Sequence, residues 1–254
     1  MSNETTKYAF FDLDHTILPQ DTQVLFAQYV MVREPWRRVF LLWFLPCLIP
    51  AALKIFDLRM MKRIFSSYLW GMPQEKLLKY ASDFVDEVVP KISYPEIVAE
   101  VDRLKSEGYC MILNSASPEF YVEKISAHFG FDHFIGTQMV LSDPMPWLPP
   151  IVGPNNKRGA KITAMKERGL IPRDYDPAGG PFPDSWAFSD SSADIPLLSI
   201  AEHAVTIHPG SVLAERAAEK GWDTRLPPRP YEGKWGSKIA TFRLALGLGR
   251  KFLG

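Results

Sequence analysis

Asp12 and Asp14 stand two residues apart at the end of a short, uncharged, aromatic run, Tyr8-Ala9-Phe10-Phe11. Residues two apart in an extended strand share a side, so both carboxylates project together where the strand ends. Like charges that close resist joint ionisation, and burial raises the cost further. A metal ion is the simplest compensation. Three further stretches carry matching groups. "ILNSAS" places the Ser115 hydroxyl and the backbone around Ala116 where an anion can be held. "NKRGAKITAM" offers Lys157, Arg158 and Lys161, and "FSDSSADIPLL" adds Asp190 and Asp194. Each piece has an ordinary reading. A D-x-D also holds metal-nucleotides in glycosyltransferases, Ser115 fits a helix cap, Lys161 a solvated charge and Asp194 an N-cap. The four together, each at a strand or helix end, describe a phosphoryl-transfer site that takes Mg²⁺, a cation served by a few carboxylate oxygens with water or phosphate elsewhere.

Positioning these groups requires a sheet whose strand ends converge. Tyr8–Phe11 suits a strand buried on both faces. Beyond residue 90, strand-like and helix-like segments alternate. Pro95 opens a helix that Gly108 ends, and Tyr109–Leu113 follows as a buried strand. Helices are expected over 118–129 and 157–168, and strands over 134–140, 185–188 and 203–207. This is the pattern of an α/β fold, a doubly wound, mostly parallel sheet, with ligands bound at the carboxyl ends of its strands. Residues 19–90 break the alternation: Asp21 can cap a helix to about Glu34, and Leu77, Leu78, Ala81, Phe84, Val85 and Val88 form a helical stripe. The expected organisation is a catalytic core of 1–18 and 91–254 with an all-helical cap of 19–90. The Pro-rich loops "DPMPWLPPIVGP" and "RDYDPAGGPFPD" are stiff surface loops or a wall of the substrate entrance.

With all four stretches present in order, the sequence resembles the haloacid dehalogenase superfamily, in its phosphoserine-phosphatase-like branch, where a helical cap follows the first motif. The resemblance implies that Asp12 attacks phosphorus to form an aspartyl-phosphate, and that Asp14 protonates the leaving oxygen and then activates water. It also implies Mg²⁺ held by Asp12, the Asp14 carbonyl and Asp190, with Asp194 in support. Ser115 and Ala116 would hold the phosphoryl oxygens and Lys161 would balance charge, with Lys157 as the alternative lysine. His15 stands where that family most often has Gly.

The 254 residues carry 29 basic and 29 acidic side chains, so no net field draws nucleic acid, and no nucleic-acid partner is expected. Cys47 and Cys110 make neither a disulfide framework nor a zinc site, and the polar start, Met1 to Lys7, argues against a cleaved leader. The segment "VFLLWFLPCLIPAAL", 39–53, is uncharged and bracketed by Arg37, Arg38 and Lys54. As a straight helix it would reach roughly 22 Å, short of the roughly 30 Å hydrocarbon layer. A single crossing would also separate Asp12 from Ser115, Lys161 and Asp190. Pro46 and Pro50 are expected to break the helix, giving a bent or re-entrant element, or else a buried cap core. The tail from Lys234 to Gly254 is basic, aromatic and amphipathic, and reads equally as a lipid contact or as a final packed helix. The apolar run resembles that of the phosphatidylglycerophosphate phosphatase C type, which implies a lipid phosphate as substrate and a cytoplasmic catalytic part held peripherally or re-entrantly on the inner membrane. The competing expectations are a soluble phosphatase for phosphoserine or histidinol phosphate, a phosphotransferase, and an inactive phospho-ligand scaffold.

Overall fold

The protein is described by a computed structural model over residues 6–153, 156, 159–231 and 233–246. Six strands form one sheet: β1 (Tyr8–Phe11), β2 (Cys110–Pro118), β3 (His133–Thr137), β4 (Phe182–Ser189), β5 (Ala201–Ile207) and β6 (Asp223–Arg225). Their order is β3-β2-β1-β4-β5-β6 and every pairing is parallel. Growth reverses direction between β1 and β4. At such a switch point the loops leaving neighbouring strands diverge and open a crevice at the carboxyl edge.

Between β1 and β2 the described chain is helical: α1 (Thr22–Arg33), α2 (Phe40–Ala52), α3 (Leu58–Phe65), α4 (Gln74–Glu87), α5 (Val89–Ile92) and α6 (Pro95–Ser106). The remaining helices are α7 (Glu119–Phe129), α8 (Ala160–Glu167), α9 (Ile195–Ser199), α10 (Ser211–Lys220) and α11 (Gly233–Ala245). Local chemistry sets their ends. Asp21 caps α1 by accepting from the Gln23 and Val24 amides, Pro95 occupies the first turn of α6, and Gly130 closes α7 at φ 71°.

The sheet is buried on both faces. Ala9 and Phe11 of β1 join Met111, Leu113, Phe188 and the apolar sides of α1, α4, α6 and α7 in one cluster. Phe10 points the other way, into a second cluster with Ile112, Ala187, Ile162, Leu197 and Leu213. Period-two alternation therefore feeds two cores, and the strand reads as a continuous apolar run.

Three expectations need correction. Pro46 and Pro50 do not break the apolar segment; both lie inside the continuous α2. Each proline leaves the carbonyl four residues earlier without a partner, and those residues, Leu42 and Pro46, are exposed, so water serves them. Nor is α2 a buried core. Phe40, Phe44 and Cys47 face inward, with Phe40 and Phe44 packing on Phe65 at 6.0 and 5.1 Å, while Leu42 is 77% exposed and Ile49 68%. Finally, β2 runs on to Pro118, so Ser115 lies within the strand and not beyond it, at an irregularity in the pairing with β3.

The loop of 141–152 braces the helical insertion. The Met145 amide donates to the Met72 carbonyl at 2.8 Å, and Trp147 meets Trp43 and Trp70 edge-on. Among the described residues no helix is long and apolar enough to cross a membrane. Both cysteines are free. Within the tail, α11 is a final helix whose Leu244 is buried while Ile239 and Phe242 remain exposed. Lys157 and Arg158 lie outside the described residues, as do 247–254 of the tail.

Candidate active site

Asp12 follows the last residue of β1 and is fixed there by its amide, which donates to the Phe188 carbonyl at 3.0 Å. One carboxylate oxygen receives the Lys161 ammonium at 2.6 Å, and the other receives the Thr16 hydroxyl at a long 3.4 Å. Lys161 comes from the first turn of α8, is almost fully buried, and also donates to Asp194 at 2.7 Å. Asp194 accepts in addition from the Ser189 hydroxyl at 2.8 Å. Asp190 leaves the end of β4, tied to the first loop through its amide, which donates to the Thr16 hydroxyl at 3.1 Å. The first, third and fourth sequence stretches therefore meet at the switch point of the sheet, as expected of four segments that share one edge.

The electrostatics carry a surplus of negative charge. Burial, reinforced by Asp194, Asp190 and Asp14 and opposed by Lys161, pushes the Asp12 carboxyl up to about 8. Burial, with Asp194 and Asp14, pushes Asp190 up to about 7. Lys161 moves the other way in charge: burial would lower it, but Asp12 and Asp194 outweigh burial and hold it protonated. One ammonium, bonded to Asp12 and Asp194, thus serves a cavity lined by the four carboxylates of Asp12, Asp14, Asp190 and Asp194, a balance that a hard divalent cation would correct. Asp12 and Asp190 supply the few carboxylate oxygens Mg²⁺ prefers, with water and main-chain oxygen left to complete the shell. Among the described residues no group of three or more Asp, Glu, His or Cys side chains converges on one point as a closed metal cage. An open site with two carboxylates fits Mg²⁺ better than such a cage would.

Asp14 has a different environment. One of its oxygens accepts from the Thr22 amide at 2.7 Å and the Thr22 hydroxyl at 2.6 Å, and the other from the Ser117 hydroxyl at 2.7 Å. Its carboxylate is therefore turned to the first residue of α1 and away from Lys161. The Thr22 and Ser117 hydroxyl oxygens lie 2.9 Å apart, which closes a small ring of three side chains. Ser115, fully buried, accepts from the Ser117 amide at 3.0 Å and reaches Asp14 only at 3.5 Å. It does not line the cavity, whereas Ala116 and Ser117 do. Position 117 lies two residues along the strand from 115, the same periodicity that pairs Asp12 with Asp14. That spacing was the signal for Ser117; nothing local marks Thr16 or Thr22.

Backbone geometry around this stretch is held from both sides. Asn156 donates to the Ser115 carbonyl and to the Asn114 side chain, each at 2.7 Å. Gly136 of β3 packs so closely that a Cβ there would lie 2.9 Å from the Ser117 carbonyl and 2.7 Å from the Glu119 Cα. His15 sits at φ 60°, the left-handed region in which glycine is unstrained, which accounts physically for a preference for Gly at that place. Its Nδ1 lies 3.0 Å from the Pro19 carbonyl and 3.2 Å from the Tyr231 hydroxyl.

The cavity over these residues measures about 390 Å³. Its floor is Asp12, Asp14, Lys161, Asp190 and Asp194; its opposite wall is Val24, Phe44, Leu58, Met61 and Phe65 from α1, α2 and α3. Lys62 of α3 crosses to the core and donates to the Ala116 carbonyl, at 2.5 Å, and to Thr137. The floor offers carboxylates, an ammonium and a hydroxyl. The wall offers apolar surface.

Comparison with known proteins adds an independent finding. The family model for haloacid dehalogenase-like hydrolases matches residues 9–199. A histidinol-phosphatase of Neisseria meningitidis serogroup C is 26% identical over 228 residues, covering 84% of this chain and 96% of its own. A phosphoserine phosphatase of Mycobacterium tuberculosis is 24% identical over 228 residues, covering 87% and 71%. Among solved structures, a Bordetella pertussis Tohama I protein of unknown function superposes with a TM-score of 0.70 at 23% identity, over 87% of this chain and 98% of that one. A phosphoserine phosphatase solved as its phospho-aspartyl intermediate analogue gives a TM-score of 0.58 at 19% identity, over 89% and 95%. These structural likenesses share the fold.

Proposed function

The chain belongs to the haloacid dehalogenase-like hydrolase family and is a phosphoric monoester hydrolase; on that premise we propose that Asp12 is its nucleophile and a lipid phosphate its substrate. In the first step an Asp12 oxygen forms a bond to phosphorus while the bond from phosphorus to the ester oxygen breaks, and a protonated Asp14 gives that oxygen its proton. In the second, water forms a bond to phosphorus, its proton passes to Asp14, and the bond to Asp12 breaks to release inorganic phosphate. Lys161 holds Asp12 in place and offsets the charge of the incoming phosphoryl group, and the hydroxyl of Ser117 and backbone of Ala116 line its seat. Asp12, Asp190 and the Asp14 carbonyl would hold Mg²⁺, which supplies Lewis-acid stabilisation of the phosphoryl oxygens. For Asp14 to reach the leaving oxygen, its bonds to Thr22 and Ser117 must loosen, so entry of substrate and movement of the start of α1 are linked. Residues 19–90 act in this reading as a cap on a core formed by 1–18 and 91–254.

The observation that carries the substrate class is the wall of Val24, Phe44, Leu58, Met61 and Phe65 facing the carboxylates. An amphiphilic ester places phosphate on the floor and its glycerol and first methylenes against that wall, while the exposed side of α2 offers Leu42, Leu48 and Ile49 to a bilayer surface. Phosphatidylglycerophosphate, or a related lipid phosphate, has this chemistry. The second reading, a small metabolite, is supported by the relatives named for histidinol phosphate and phosphoserine. Phosphate release with Mg²⁺, comparing phosphatidylglycerophosphate in mixed micelles with those two esters and Asp12→Asn as blank, separates them. At least about tenfold higher kcat/KM for the lipid is expected, a difference of about 1.4 kcal/mol in transition-state binding. Preference for histidinol phosphate or phosphoserine would transfer the assignment to the second reading.

A further inference from the structure

A second cavity, about 570 Å³, adjoins the catalytic one and shares His15, Asp190 and Ser191 with it. Its other walls are the amino end of α10, Tyr94, His208, Arg229 and Tyr231. Three independent features make this an anion site. The ten-residue α10 begins at Gly210 with no side chain capping it, so the first-turn amides of Ser211, Val212 and Leu213 are open to the cavity they line. Arg229 is the one arginine among the described residues lining this wall, which it shares with Tyr94 and His208. Tyr94 is 2% exposed and lines the cavity, and its hydroxyl makes no hydrogen bond among the described residues, so it can donate to an acceptor that enters there. Asp190, on the wall shared with the catalytic cavity, is the single carboxylate lining it among the described residues.

We propose that this second cavity binds a phosphate or carboxylate group, held by Arg229, the amino-terminal amides of α10 and the Tyr94 hydroxyl. Because the two cavities share a wall, a ligand with two anionic groups can span both, and a free anion can occupy this one alone. The proposal stands on this cavity and is independent of the lipid reading. The guanidinium and the amides both favour oxyanions with several acceptor oxygens over a spherical anion.

The test is amide NMR on the full chain titrated with inorganic phosphate, and separately with malonate, at ionic strength held constant with chloride. The amides of Ser211, Val212 and Leu213 report this cavity, and those of Ala116 and Ser117 report the catalytic one, so failure of either site is seen separately. Saturable shifts at 211–213 are expected, weakened about tenfold or more in Arg229→Gln and about two- to fivefold in Tyr94→Phe. Saturation by phosphate alone identifies a tetrahedral oxyanion site, and saturation by both identifies a general one. Shifts that grow linearly without saturating, that chloride alone reproduces, or that survive both substitutions would overturn the proposal. Tyr94→Phe keeps the test open should Arg229→Gln fail to fold.

Discussion

At the scale of residues, the site is built at the expense of stability. Asp12 and Asp190 are carboxyls raised to about 8 and about 7, chiefly by burial, far above the value each has in an unfolded chain. A raised carboxyl binds its proton more tightly in the folded state. Its stabilising contribution is complete below the unfolded value, near 4, and is lost as pH rises through the folded value. Metal-free protein should therefore show a falling thermal midpoint between about pH 5 and pH 8. Asp184 titrates elsewhere: its hydrogen bond from Lys7 holds it below the usual carboxylate range, so its effect lies beneath this window. Mg²⁺ should raise the midpoint more at pH 8 than at pH 5, and Asp12→Asn should flatten the metal-free slope. Calorimetry in chelator that finds a flat or rising midpoint across this range would contradict the charge balance described for the site. The sequence exposed these acids because a D-x-D at the end of an apolar run is a local signal. Thr16 and Thr22 stayed hidden because their roles depend on carboxylates four and eight positions away that the fold turns toward them, whereas Ser117 carried a signal in its spacing from Ser115.

At the scale of elements, the helical insertion is joined to the site through α1 and α3. The Asp14 carboxylate receives the first amide of α1, and Lys62 of α3 reaches the Ala116 carbonyl. Between them α2 buries one stripe and leaves the rest of an apolar surface in water. Replacing the outward Leu42, Ile49 and Leu53 by Gln removes no buried contact, so each should change stability by no more than about 0.5 kcal/mol. In the lipid reading the same triple variant should lose about tenfold or more of its binding to anionic vesicles while turnover of a soluble ester is kept. Vesicle flotation that finds equal binding, or none even for the unmodified protein, would remove α2 from substrate capture. The helix ends at Asp21, Pro95 and Gly130 were legible because capping is local. Continuity of α2 through two prolines was not, since it rests on exposed carbonyls that only the folded environment reveals. β6, three residues at the sheet edge, is too short to leave a periodic signal.

At the scale of the whole molecule, one parallel sheet explains why groups at positions 12, 116, 117, 161, 190 and 194 share a site. The alternation of strands and helices after residue 90 carried that architecture in plain view, because each βα unit announces itself through burial and glycine stops. A site at the carboxyl edge follows from topology, and helices that follow β1 line the same cavity as Asp12. The apolar wall of the cavity was less accessible, because it is assembled from α1, α2 and α3 and depends on how those helices lean on the core. In the proposed reaction the phosphoryl group passes through Asp12. Acid quenching of the protein during turnover, followed by peptide mass spectrometry, tests it directly. A transient phosphoryl group on the peptide containing Asp12, appearing within the first turnover and absent from Asp12→Asn, is the predicted result. Full turnover by Asp12→Asn, or a phosphoryl group trapped on any other residue, would remove Asp12 as the nucleophile.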